Sequence, residues 1–244
     1  MEAVDRLMRR PQDLGLVVAT GDADADVLST IDADRLLATH RCFAELVVAR
    51  WWRAGFPAVL ATLEHFLGSA EAAASYLIGH AGFLSAQEED VRGSALGAAV
   101  LDGFAGGQLA ELPRWLPDLL AYEYLLSVGI PRRARGEEVD AALEARLLPD
   151  VAWLSGGRLQ RDLVVAGFTW PVGDLQDEPH DAQPDPHTRL LYIQGEEIVD
   201  LPAPDLAADV LDLLAGGAEG SLVAALGEGA LEVVEHLTSL GLVS

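Results

Sequence analysis

The run Glu111 to Leu126, ELPRWLPDLLAYEYLL, constrains the fold more than any other stretch of the sequence. Pro117 forbids a helix running continuously through Trp115 and Leu116. A proline is welcome in a helix's first turn, however, where its missing N–H is no loss. A helix starting near Leu116 places Leu116, Leu119, Leu120 and Glu123 on one face, by the i, i+3, i+4, i+7 rule. Three leucines make that face core. A carboxylate in line with them must find a partner or shift its pKa. Two readings follow: Glu123 sits at the rim of the core and pairs with an arginine, or it lies at a contact with another protein. Nothing around it supplies the second acid or base that catalysis would require.

Core material is plentiful, since half of the 244 residues are hydrophobic. The length suits two modest domains or one large one. The charge is lopsided: 16 basic residues, all arginine, stand against 39 acidic ones, for a net charge of −23. Such a chain repels polyanions at long range, which disfavours nucleic acid and anionic membrane surfaces as partners. A basic or zwitterionic protein partner is attracted instead. Cys42 is the single cysteine, so one chain holds neither a disulfide framework nor a cysteine metal site. Met1 to Arg10 has scattered charges and no apolar run, unlike a signal peptide. No stretch reaches the ~20 uninterrupted apolar residues of a membrane span. A cytoplasmic protein is the expectation.

Up to residue 157 the texture is helical. Leu36, Leu37, His40, Phe43, Ala44, Val47, Val48 and Trp51 track one helical face. A bend at Gly55-Phe56-Pro57 precedes a helical segment from Ala58 to Phe66, and Ser69 suits the cap of the next one. Gly106-Gly107 breaks a further helical run, and the Pro117 helix closes a bundle of five or six. The basic cluster Arg132, Arg133 and Arg135 follows that helix, where positive charge suits a helix C-terminus. It reads as a solvated connector or as an anchor for an acidic patch. Glu137 to Leu148 suits one more short helix, and Ser155-Gly156-Gly157 ends the linker. Two metal-like patterns fail. After Asp22, Asp24 and Asp26, a calcium loop needs glycine and glutamate where Val27 and Ala33 stand. His180, Asp181, Asp185 and His187 lie in a proline-broken loop, a poor place to preorganise ligands.

From residue 158 the texture changes. Arg161 to Val172 is rich in strand formers and is ended by Pro171. Arg189 to Ile193 and Glu197 to Leu201 make a hairpin around Gln194-Gly195. Helical stretches from Asp205 to Leu214, Ser221 to Leu226 and Leu231 to Leu240 follow. The predicted fold is therefore a two-domain α plus α/β chain. Residues 1–157 form a helical bundle with its linker, and residues 158–244 form a small winged-helix-like α+β module with a short antiparallel sheet. A module of that shape takes DNA or peptide, and Glu232 and Glu235 on its last helix favour peptide. An exposed sheet edge offers main-chain hydrogen bonds, and pockets beside it give specificity. The peptide-binding candidates are Glu197, Ile198 and Val199 on the return strand, with Val233, His236 and Leu237 on the last helix. Arg161 and Arg189 are secondary candidates. Trp115, Glu123, Arg132 and Arg133 are the partner-interface candidates.

Three segments carry a family resemblance over the central third of the chain, in compatible order: RWWRAGFPAVLATLEHFLG (Arg50 to Gly68), SYLIGH (Ser75 to His80) and LPRWLPDLLAYEYLL (Leu112 to Leu126). They resemble the small, non-catalytic partner subunits of multinuclear non-haem iron oxidases that modify cysteine in ribosomally made peptides. The methanobactin-biosynthesis partner subunit is the best-known member type. The resemblance implies a heterodimer with the oxidase, in which the iron sits in the partner enzyme and this chain carries no cofactor. It also implies that a precursor's leader peptide is taken as an added strand beside the sheet and packed against the last helix. The sequence itself holds no Gly-rich phosphate loop in strand–loop–helix context, no GxSxG, no HExxH and no lysine. A nucleophile–base–orienter set is likewise missing. A winged-helix regulator and a stand-alone metalloenzyme are the alternative readings.

Overall fold

The structure, a computed structural model, describes residues 53–78, 112–139, 141–177, 182–217, 226–227 and 229–244. The expected helical face from Leu36 to Trp51, the Gly106-Gly107 break and the short helix at Ser221 lie outside these residues. Helix α1 (Pro57–Leu67) opens on its proline and ends at Gly68, whose φ of 88° is the left-handed stop glycine tolerates. Ser69 then caps α2 (Ala70–Ile78): its Oγ accepts the Ala72 N–H at 3.1 Å. Helix α3 (Leu116–Tyr124) begins where Pro117 requires. It runs on through a single π turn, Leu125–Gly129, into the short α4 (Ile130–Ala134). Pro131 accounts for the widened turn, because its ring clashes with the carbonyl four residues back and it cannot donate to it. Helix α5 (Ala141–Leu147) follows.

Four strands form one antiparallel meander, β1 (Val151–Leu154), β2 (Leu163–Phe168), β3 (His187–Gln194) and β4 (Glu197–Pro202), in that spatial order. Short α6 (Val172–Asp177) sits between β2 and β3, and α7 (Ala207–Ala215) and α8 (Gly229–Ser239) follow the sheet. Alternate side chains divide between two cores. Val164, Ala166, Phe168 and Leu191 join the cluster built by α1, α3, α4 and α5, with Trp153 packed against it. Leu154, Leu163, Val165, Leu190 and Tyr192 join Val210, Leu211 and Leu214 of α7 and Val233 and Leu237 of α8. The sheet is thus a middle layer between helices. That explains why β2 is a nearly continuous apolar run instead of an alternating one.

The described residues have an α+β architecture. One feature differs from the sequence expectation. The first strand lies before residue 157 and pairs with β2 beyond it, Leu154 opposite Leu163, so the sheet is not confined to residues 158–244. Four residues between Pro149-Asp150 and Ser155-Gly156-Gly157 are too few to show a strand period. The chain's last residues are also structural: Leu159 and Val243 form an antiparallel bridge, and Leu242 is fully buried. No described helix is long and apolar enough to cross a membrane.

Candidate functional site

Among the described residues, strand β4 is an outer strand of the sheet. Gln194 and Glu197 face each other across the two-residue turn Gly195-Glu196, with Gly195 at φ 68°. A flanking pair of this kind exchanges both of its hydrogen bonds, and the pairs then alternate along the ladder. Glu197, Val199 and Leu201 therefore bond β3, and the Ala203 N–H continues the alternation by donating to the Thr188 carbonyl at 2.9 Å. Ile198 and Asp200 turn their N–H and C=O groups away from the sheet. Pro202 falls in this outward set, where its missing N–H costs the ladder nothing. The side chains of Ile198 and Val199 pack against opposite cores, while Glu197 is exposed.

The last-helix candidates divide. His236 is exposed and, with Val233, Glu232 and Leu206, borders a cavity of about 290 Å³ between the start of α7 and α8. Leu237 is a correction: it is fully buried in the core beneath the sheet and presents nothing to a ligand. Its place four residues after Val233, on the buried stripe of the helix, is the reason.

Two of the partner-interface candidates are also corrected. Trp115 is 3% exposed and Glu123 is 1% exposed. The Glu123 carboxylate is used inside the chain, and not by an arginine: Oε1 accepts the Ala58 N–H and Oε2 the Val59 N–H, each at 2.9 Å. Those donors belong to the first turn of α1, whose N–H groups have no partner within the helix. The positive end of the helix dipole adds to the attraction. Burial outweighs both hydrogen bonds and pushes the Glu123 carboxyl up to about 7. The basic cluster is largely neutralised within the chain as well. Arg133 pairs with Glu144 and lies 4.0 Å over the Trp153 ring, while Arg132 and Arg135 reach Glu137.

A polar network not foreseen from the sequence ties α3 to the sheet. The Tyr122 hydroxyl donates to Asp200 Oδ2, and Arg189 Nε donates to Asp200 Oδ1 at 2.8 Å. One turn earlier, Asp118 Oδ2 accepts the N–H groups of Thr169 and Trp170, at 2.7 and 3.1 Å, and so fixes the β2–α6 loop. Tyr122 and Asp200 are 78 residues apart, a pairing that no local pattern reveals. Tyr122→Phe keeps the ring against Phe168 and removes only the hydroxyl. The expected cost is about 1 kcal/mol, or roughly 3 °C in a thermal melt. An unshifted melting temperature would show that the bond carries no net stability.

A second cavity, of about 430 Å³, opens at the other end of β3, where α4 meets the starts of the β1–β2 connection and β2. Trp153, Leu191 and Ile130 supply its apolar wall, and Arg133, Arg161 and Asp162 its polar rim. Among the described residues no three His, Cys, Asp or Glu side chains are grouped to hold a metal ion. His180 and Asp181 of the histidine-rich loop lie outside those residues. No protein-family model matches this chain, and no curated protein does.

Proposed function

We propose that this chain is the non-catalytic partner subunit of an iron-dependent oxidase that modifies cysteine in a ribosomally made peptide. In this reading it binds the precursor's leader segment and presents the modifiable part to the oxidase, which carries the iron. Among the described residues no strand pairs with the outer side of β4, and that edge is the observation that carries the proposal. Ile198 and Asp200 aim two N–H and two C=O groups outward from a strand whose side chains are already anchored in two cores. A rigid edge of this kind binds an extended peptide by completing a ladder, with little ordering of its own. The motif resemblance of Arg50 to Gly68 and Leu112 to Leu126 supports the same reading. A net charge of −23 favours a basic leader. Orientation alone makes such a subunit matter to a reaction it does not perform, since placing a reactant near the metal is worth several kcal/mol.

The test is a titration of the whole chain with the leader segment of a precursor peptide encoded beside its gene, followed by fluorescence anisotropy. Ile198→Pro removes an outward N–H and leaves the β3 ladder its donors. It is expected to weaken binding roughly tenfold or more while the circular dichroism spectrum stays that of the parent. A leader N-methylated at alternate residues is a second check that leaves the protein untouched. Undiminished binding in both cases removes strand addition as the mode. The absence of an iron-dependent oxidase gene beside this one, or the failure of its product to co-elute with the chain and peptide, removes the partner-subunit reading.

A further inference from the structure

The larger cavity has three features that belong together. First, Arg161 lies over the Tyr192 ring, 5.1 Å from its centroid, and its Nε is buried without a hydrogen-bond partner among the described residues. Arg133, across the cavity, is already met by Glu144. Second, the walls that Ile130, Trp153 and Leu191 provide are apolar and of a size for one or two side chains. Third, the backbone of Ile193 is open there. Even-numbered residues of β3 bond β4, so its odd-numbered residues face β2. The ladder to β2 ends at the Val164–Leu191 pair, so the N–H and C=O of Ile193 point into the gap beyond it. Among the described residues neither has a backbone partner.

We propose that this cavity binds the α-carboxylate end of an N-acylated apolar or aromatic amino acid, as found at the C-terminus of a peptide or in a free N-acyl amino acid. The carboxylate meets the guanidinium of Arg161 where it lines the cavity, in a charge-assisted bond. The side chain enters the wall of Trp153, Leu191 and Ile130. The acyl amide N–H meets the Ile193 carbonyl, extending the β3 ladder by one residue. A single carboxylate suits the site better than a phosphate dianion, because Asp162 is exposed at the rim and Glu144 offsets Arg133. The site opens on the β2 side of β3, opposite the side that pairs with β4, and does not depend on the function proposed for the β4 edge.

The test is calorimetric titration of the full chain with acetyl-Gly-Ala-Phe as the free acid, the same tripeptide as its C-terminal amide, and N-acetylphenylalanine. The free acid is expected to bind at least tenfold more tightly than the amide. Arg161→Gln is expected to erase that difference by weakening the acid alone, with a melting curve taken to confirm that the variant folds. A tripeptide acid that binds more tightly than N-acetylphenylalanine points to a peptide end as the source, and equal affinities to a free acyl amino acid; both uphold the site. Equal binding of acid and amide by the parent chain overturns the proposal, as does no binding of either acid at millimolar concentration. The same loss for acid and amide in Arg161→Gln overturns it too.

Discussion

Gly157→Ala is expected to lower stability by roughly 3–5 kcal/mol, the largest effect of a methyl group added to any of the described glycines. Two causes add. Gly157 has a φ of +58°, a conformation that costs any L side chain about 1 kcal/mol. Its Cβ would also lie 2.1 Å from the Leu214 carbonyl oxygen and 2.6 Å from that of Ala215. Those oxygens end α7, and the neighbouring Arg158 N–H caps the same Leu214 carbonyl at 3.1 Å. The loop cannot retreat cheaply. On its far side Gln160 donates to Leu242 and Ser244 donates to Arg158, at 3.0 and 3.2 Å, which holds the chain's last residues in place. Gly156 supplies the control: its φ is +80° but a Cβ there meets nothing within 4 Å. Gly156→Ala should therefore cost only the backbone term, about 1 kcal/mol. Urea unfolding of the two variants separates strain from contact, and equal losses would mean that the β1–β2 connection does not rest on α7.

The same loop marks how far the sequence could be read. The strands β2 to β4 and the turn between β3 and β4 were legible, because β-branched residues alternate or run together between Leu163 and Pro202, with Pro171 ending the first run and a glycine at the turn. The start of α3 was legible from one proline. The strand β1 was not: four residues carry no period, and what makes them a strand is β2, which lies beyond a loop. Nor did Ser155-Gly156-Gly157 reveal that one of its glycines is held against a helix end. Of the candidate edge, the sequence located Ile198 and Val199. It did not show which of the two turns its backbone outward, since that depends on the register counted from Gly195. The last helix illustrates the opposite error. His236 and Leu237 are neighbours in sequence, but a step of one residue rotates about 100° around a helix and separates a solvent face from a core face.

Glu123 is where the sequence posed the right question and the structure supplies an answer neither reading offered. Removing its side chain leaves the Ala58 and Val59 N–H groups buried without an acceptor, and it leaves a hole beside Leu119 and Leu120. Glu123→Ala is expected to cost roughly 4 kcal/mol or more. Glu123→Gln keeps the volume, but its amide has one acceptor oxygen for two donors. It should lose about 1–3 kcal/mol at low pH. The pH profile then tests the burial. The folded pKa of about 7 lies above the ordinary 4.5, so the folded chain holds this proton more tightly than the unfolded one. Stability from this group is complete below about pH 4.5 and is lost as pH rises through 7, by about 3 kcal/mol. Asp118, whose pKa is also raised by burial, adds a slope of the same sign to every variant. The difference between the parent and Glu123→Gln isolates Glu123. Unfolding free energies at pH 5 and pH 8 should show the parent's advantage over Glu123→Gln falling by about 2.5 kcal/mol at the higher pH, enough to cancel or reverse it. Parallel profiles would place the carboxylate in contact with water, and α1 would then owe its first turn to some other acceptor.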